Sequence, residues 1–271
     1  MAQKSQTSSK IVKAPATALM DKAALEELRR DAGKGQAKHA EDKILPFMRV
    51  LQPLSPQCIK KGPAYINGAE PGDFFLSTSA TPIISGTDGL IFQPCFYRRD
   101  WIEWVPREDG GGFAGRYEYN YADRERKGLP RDATRNEDGF TWSRPNGNDL
   151  VDTIYFVGNV WRDGRPEAFV VPFAGTAHKI GRNWNNQLQS RRIPETEELY
   201  AIFAFKSHWT TTMVTNDKGS WWLIRIADEG VYNPRDPEYA AGKSLFNACE
   251  TDQRTIQETQ REQASAESES M

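Results

Sequence analysis

The stretch that determines the fold is AFVVPFAGTAHKIGRNWNNQLQSRRIP, residues 168–194. Its first six residues are apolar and rich in Val and Phe, as in a buried strand. After Thr176, which is placed to cap a helix, Ile180, Trp184 and Leu188 recur every four residues and therefore share one helix face. The sequence predicts a strand followed by a single helix from Thr176 to about Gln189.

The same stretch carries positive charge without any Asp or Glu, in a chain whose formal net charge is -2. Uncompensated positive charge attracts polyanions, and each phosphate contact releases counterions, so the stretch favours a nucleic-acid partner. The alternative is a basic helix face that is simply solvated. The candidate nucleic-acid-binding residues here are Lys179, Arg182, Asn183, Asn186, Arg191 and Arg192.

Short β-type runs separated by Pro and Gly surround the predicted helix. They cover residues 74–76, 90–105, 153–161, 168–173, 200–206, 210–215 and 221–227. Turn residues at 163–164 and 216–219 predict hairpins. Several strands, one helix and a final hairpin follow the order of a five-stranded OB barrel, although other β-rich barrels share that order. The predicted fold is mostly β with one internal helix, an OB-like barrel with insertions.

The two ends of the chain differ in charge from the middle. Residues 1–44 have nine Lys and Arg against six Asp and Glu, and Asp21 can cap a short helix within this polar basic arm. Residues 231–271 have four against eight, and they are predicted to form an acidic, largely disordered tail. The β-rich domain is placed at residues 45–230, with residues 106–150 as a long insertion loop. Neither end has an apolar run typical of a signal peptide or membrane span, so a cytoplasmic protein is expected.

Aromatic and basic residues alternate along two of the predicted strands. Tyr97, Arg99 and Trp101 are spaced two apart and therefore share a strand face. In the last strand, Trp222, Ile224 and Ile226 form an apolar face, which leaves Trp221 and Arg225 on the other face. A ring beside an arginine on an exposed face gives a base a stacking surface and its phosphate a charge. The alternative for each aromatic residue is ordinary packing in the core. The candidate residues from these strands are Tyr97, Arg99, Trp101, Trp221 and Arg225.

Motifs that would indicate an enzyme or a cofactor are missing. The sequence has no GxSxG, HExxH or GxxxxGK[ST], and the GxGxxG match at residues 110–115 precedes strand-like alternation instead of a helix. Three cysteines and three histidines show no metal-ligand spacing. No catalytic residue, metal or cofactor is predicted, and a nuclease built from scattered carboxylates is the third alternative.

Four short segments carry a resemblance to a known family: residues 45–56 (LPFMRVLQPLSP), 71–74 (PGDF), 179–185 (KIGRNWN) and 216–221 (NDKGSW). Together they resemble a family of tailed-bacteriophage proteins described as single-stranded DNA-binding proteins and encoded near replication and recombination genes. The resemblance covers about residues 45–230 and implies an OB-like core that binds ssDNA. Such proteins often end in an acidic tail closed by an aromatic residue, whereas this chain ends in ESESM.

The leading hypothesis is a non-enzymatic, sequence-independent ssDNA-binding protein of a phage, acting in the cytoplasm of the bacterial host. Replication or recombination proteins are expected as further partners through the acidic tail. The alternative is a phage structural or host-interaction protein whose aromatic surface binds protein. The nearly balanced charge of residues 45–230, with 22 Lys and Arg against 23 Asp and Glu, favours this alternative.

Overall fold

The computed structural model describes Glu26, Glu27, Arg30 and residues 45–77, 79, 81–137, 141–217 and 219–251. Contacts divide the chain into two units, residues 1–39 and residues 40–271. In the first unit, the three described residues are helical and exposed, and the rest of the predicted arm lies outside the described residues. No described helix has the length and apolar character that a membrane span requires.

Eleven strands are the main regular structure in the described part of the second unit, which confirms the mostly β prediction. Three short ones form a separate antiparallel sheet: β1 (Met48–Val50), β2 (Phe74–Leu76) and β3 (Ile83–Ile84). The other eight form the main sheet: β4 (Leu90–Trp104), β5 (Phe113–Glu118), β6 (Thr134–Arg135), β7 (Trp142–Ser143), β8 (Asp149–Arg162), β9 (Arg165–Phe173), β10 (Phe205–Asn216) and β11 (Gly219–Val231). Two helices accompany them, α1 (His178–Ser190) and α2 (Pro237–Thr251).

The main sheet is antiparallel and curls into a half-barrel. Its long strands lie in the order β11-β10-β4-β8-β9. β4 pairs along one edge with β8, and along the other edge with β10 at its start and β5 at its end. The predicted hairpins are confirmed, since β8 joins β9 at Asp163-Gly164, and β10, which ends at Asn216, pairs with β11, which begins at Gly219. The predicted strand at 200–206 begins only at Phe205, after a 3-10 turn over Ile202–Ala204.

The segment around β1 lies between the two outer edges of the curled sheet. Phe47 forms a parallel bridge with Val170 of β9. On the other side, the side-chain amide of Gln52 accepts a hydrogen bond from the backbone N–H of Trp222 (2.9 Å) and donates one to its carbonyl (3.0 Å). Gln52 therefore pairs two backbone groups on the open edge of β11.

Replacing Gln52 with Ala is expected to lower the free energy of unfolding by about 1–3 kcal/mol, because both backbone groups of Trp222 lose their partner. Urea unfolding measures the change, and Gln187→Ala, which removes an exposed amide from α1, is the matched control. A Gln52→Ala protein as stable as this control would show that the contact does not hold the edge.

The largest hydrophobic cluster fills the inside of the curl, and α1 packs against it. Trp184 is 5% exposed and its ring lies 4.3 Å from that of Phe156 and 5.1 Å from that of Trp209, centroid to centroid. The helix comes this close because residue 181 is glycine: a Cβ there would lie 2.8 Å from the side chain of Phe173. The prediction that Ile180, Trp184 and Leu188 share the inner face is confirmed.

The start of α1 differs from the prediction. Residues Gly175–Ala177 form a 3-10 turn, the helix begins at His178, and its N-terminus has no side-chain hydrogen bond. Thr176 is therefore exposed in the turn before the helix and does not cap it.

The region predicted as a long insertion loop is folded. It contains β5, β6 and β7, and a second small cluster in which Trp101, Tyr119, Leu129, Ala133 and Leu150 are buried. Arg126 holds the chain together here by donating to the carbonyls of Pro130 and Ala133. Propensity alone did not show this because the cluster is made by contacts with β4 and β8, outside the insertion.

The prediction that a largely disordered tail begins at residue 231 places its start too early. Residues Pro237–Thr251 form α2, which packs on β4 with Cys249 only 7% exposed. The buried Gln93 of β4 donates hydrogen bonds to the carbonyls of Phe203 (2.8 Å) and Glu238 (2.9 Å), which ties the helix to the sheet. The acidic composition of residues 231–271 gave no indication of this packing. Residues 252–271 lie outside the described residues.

Candidate nucleic-acid interface

A groove of about 660 Å³ separates the β9 edge from the β11 edge. Its lining comes from the β1 segment, from the ends of β9 and β11, from the turn before α1 and from the insertion. No Asp or Glu is found among the described residues that line it. They are Met48, Arg49, Val50, Gln52, Pro53, Leu54, Arg107, Val171, Pro172, Thr176, Ala177, Ser220, Trp221, Trp222, Leu223 and Ile224.

Two half-buried tryptophans of β11, Trp221 and Trp222, contribute to the lining of this groove, and as neighbours on one strand they project from its opposite faces. Trp222 is fixed by its backbone contact with Gln52 and by its ring, which packs on Gly72. A Cβ at position 72 would lie 2.8 Å from that ring, and the φ of +100° there also requires glycine. The indole N–H of Trp221 is buried and has no hydrogen-bond partner among the described residues. The groove therefore has aromatic residues in its lining.

The two cations of the groove come from distant parts of the sequence. The Arg49 guanidinium lies over the ring of Phe75, 5.3 Å from its centroid. Arg107 is exposed and begins a short 3-10 turn at the start of the insertion. Glu108 and Asp109 follow it but do not line the groove. The lining thus carries two positive charges and no negative charge.

The predicted residues on α1 form one exposed face next to this groove. Thr176 and Ala177 belong to the groove wall, and the helix that follows exposes Lys179, Arg182, Asn183 and Asn186. The two cations among them, Lys179 and Arg182, have no ion-pair partner among the described residues. The predicted separation of an apolar and a polar helix face is therefore found.

The other two arginines of the acid-free stretch make local contacts. Arg191 pairs with Asp228 at 2.5 Å and stacks over Phe205. Arg192 donates to the carbonyl of Glu197 at 2.8 Å and keeps its charge. Because Asp228 neutralises Arg191, this arginine contributes less to any anion site than the sequence indicated.

The predicted platform of Tyr97, Arg99 and Trp101 is not an exposed surface. Trp101 is 6% exposed, stacks on Tyr119 and donates its indole N–H to the carbonyl of Lys127 at 3.0 Å. Tyr97 is half-buried against Phe156, and burial raises the pKa of its hydroxyl. The shared strand face was predicted correctly, but the folded insertion and the core cover it.

Arg99 belongs to a charged cluster at one end of the half-barrel. Its guanidinium donates to both carboxylate oxygens of Asp152 (2.8 and 2.5 Å), and His178 Nε2 lies 3.2 Å from the same carboxylate. Burial acts to raise the pKa of Asp152, but Arg99 and His178 outweigh it and hold the pKa below its usual range. Arg99 is therefore used mainly to neutralise a partly buried carboxylate.

The last candidate residue, Arg225, is exposed on the outer face of β11 and does not line the groove. Sequence reasoning missed Arg49, Arg107 and Trp222 as site residues. Arg49 lies within the 45–56 segment that carries the family resemblance, which was the one available signal. Among the described residues, no group of three or more His, Cys, Asp or Glu is placed to hold a metal ion.

Comparison with curated proteins and with solved structures gives no significant match. A family model described as Pam3 phage gp34-like protein matches residues 15–255. This match confirms the phage part of the resemblance seen in the sequence, whereas ssDNA binding stays a prediction. Because the match covers most of its length, the chain belongs to the Pam3 phage gp34-like protein family.

Proposed function

We propose that this protein binds single-stranded DNA without sequence preference and without catalysis, and that it coats replication or recombination intermediates of a phage. The observation that carries the proposal is the groove between β9 and β11, which has two tryptophans, two arginines and no carboxylate in its lining. Bases of any sequence can stack on indole rings, while arginines contact the phosphates. A groove that combines both fits a single strand with splayed bases.

The strand order supports an OB-like assignment within this proposal. In an OB barrel, three consecutive antiparallel strands are followed by a helix and a last hairpin, and the hairpin pairs with the first strand. Here β4, β8 and β9 are neighbours in the sheet, with the strands of the insertion between β4 and β8 in the chain. α1 follows, and β10 of the final hairpin pairs with β4. The β1 segment occupies the gap between β9 and β11, beside the groove.

The position of the groove also agrees with OB-type binding. OB folds bind oligonucleotides with the loop between strands 1 and 2 and the loop between strands 4 and 5. In this chain, the connection from β4 to β8 supplies Arg107, and the start of β11 supplies Ser220 and Trp221. The first of these connections and the strand that follows the second therefore contribute to one groove.

A protein-binding function is the second candidate, and exposed apolar residues favour it. Leu54 at the rim of the groove is 87% exposed, and Met213, paired with Trp222 across the hairpin, is 57% exposed. Apolar rims of this kind occur at protein interfaces. The two functions differ in their salt dependence, because phosphate contacts release counterions and apolar contacts do not.

Replacing both groove arginines tests the proposal through that salt dependence. The Arg49→Gln, Arg107→Gln double variant is expected to bind ssDNA more weakly, with a slope of log affinity against log salt that is smaller by about 0.7 per lost phosphate contact. Arg165→Gln is the matched control, because Arg165 is exposed at the far end of β9. It lies roughly 20 Å along the strand from Val171, at about 3.3 Å per residue.

A parallel variant, Lys179→Gln with Arg182→Gln, tests the exposed face of α1. If the salt slope is reduced in both double variants, the DNA phosphates contact the exposed face of α1 as well as the groove. If the groove variant and Arg165→Gln give the same slope, the groove does not hold the phosphates, and protein binding becomes the better hypothesis.

A further inference from the structure

The insertion between β4 and β8 presents one exposed aromatic ring held in a fixed position. Tyr121 is 64% exposed. Its ring lies 4.8 Å from that of the buried Tyr119, and its hydroxyl lies 3.2 Å from the hydroxyl of Tyr97. A ring already held in place loses little conformational freedom on binding a ligand, which favours affinity.

A continuous series of contacts joins this ring to the groove. Tyr119, which supports Tyr121, lies 3.9 Å beneath the guanidinium of Arg99. Arg99 pairs with Asp152, and Asp152 contacts His178. His178 directly follows Ala177, which lines the groove. These contacts therefore connect Tyr121 with the turn before α1 that lines the groove.

The charge around Tyr121 suits a polyanion. In residues 121–127 the exposed charged side chains are Arg124, Glu125 and Lys127, two cations and one carboxylate. Neither cation has an ion-pair partner in the part of the chain that the structure describes. The carboxylate of Asp123 is occupied locally, since it accepts hydrogen bonds from the backbone N–H groups of Arg126 (2.9 Å) and Glu125 (3.2 Å).

We propose that Tyr121 is a second stacking platform for single-stranded DNA, reached by a strand that leaves the groove past the start of α1. This inference rests on the proposed function and adds the insertion to the binding site. The groove would hold the first nucleotides, and a base further along the strand would stack on Tyr121. A short oligonucleotide fills the groove alone, whereas a longer one reaches both platforms.

The test is a length series of oligo(dT), from about 4 to about 16 nucleotides, the range of site sizes for one OB fold. Binding is measured by the anisotropy of a labelled oligonucleotide. Tyr121→Ala is expected to weaken binding of the long oligonucleotides by about 5- to 150-fold, which is the effect of losing one stacked base. The affinity for the shortest oligonucleotide that binds should not change. Tyr121→Phe keeps the ring and loses only the contact with Tyr97, so it should bind long oligonucleotides like the wild type.

The outcomes separate this inference from the function on which it rests. If the wild type binds the series but Tyr121→Ala weakens no length, ssDNA binding stands and the second platform is wrong. The same holds if Tyr121→Ala weakens all lengths equally with a lowered Tm, because the residue is then structural. If the wild type binds no oligonucleotide of any length, the proposed function fails and this inference fails with it.

Discussion

Trp184→Ala should lower the free energy of unfolding by about 3–5 kcal/mol, the usual cost of truncating a large buried aromatic residue. Trp184 is 5% exposed, and its ring packs against those of Phe92, Phe156 and Trp209. Removing it leaves a cavity between α1 and the sheet that rigid aromatic neighbours cannot fill. Chemical denaturation, followed by far-UV circular dichroism, measures the change.

Lys179→Ala is the control for this prediction, since Lys179 lies on the exposed face of the same helix. A surface change of this kind should alter stability by no more than about 0.5 kcal/mol. If both variants unfold at nearly the same denaturant concentration, α1 does not fill the inside of the half-barrel.

The Trp221→Ala, Trp222→Ala double variant should show the largest loss of ssDNA binding. Each stacked base contributes about 1–3 kcal/mol by alanine substitution, so the loss of both rings is expected to abolish binding at moderate salt. Because removing tryptophan also removes fluorescence, binding is followed through the anisotropy of a labelled oligo(dT). The fraction of folded protein is determined for each variant, since Trp222 also packs on Gly72.

Trp142→Ala is the matched control for this loss. Trp142 is half-buried in the small cluster of the insertion and does not line the groove. Its removal should leave ssDNA affinity per folded molecule unchanged. Equal affinity losses in the control and the double variant would show that the tryptophans of the groove have no special role.

Local periodicity was sufficient to predict the elements that position the site. The four-residue spacing of Ile180, Trp184 and Leu188 gave the helix and its inner face, and turn residues gave the two hairpins. These features depend on neighbouring residues in the sequence. The structure confirms them because each is determined by residues that lie close together in the chain.

Features that depend on distant contacts were not predicted. Alternation placed Trp101 on the same strand face as Tyr97, but it could not show that Tyr119 and the carbonyl of Lys127 cover the ring. Likewise α2 lies within residues 231–271, whose acidic composition is typical of a tail, and only its packing on β4 makes it part of the fold. Composition describes a segment alone and omits the surface against which it packs.

The candidate site shows this limit most clearly. Arg49, Arg107 and Trp222 are far apart in sequence and meet only because the sheet curls and the β1 segment lies between its edges. The overall charge of the domain is nearly balanced, so the acid-free lining of the groove is a property of the fold. No spacing rule applied to the sequence could have assembled it.

The most direct test of ssDNA binding by the groove is a titration of the wild-type protein with oligo(dT), followed by intrinsic tryptophan fluorescence at several salt concentrations. Two of the eight tryptophans line the groove, so stacked bases should quench the emission in a saturable manner. Binding of ssDNA in the groove predicts this quenching together with a logarithm of the affinity that falls linearly with the logarithm of the salt concentration. Unchanged emission and no binding at low salt would contradict it.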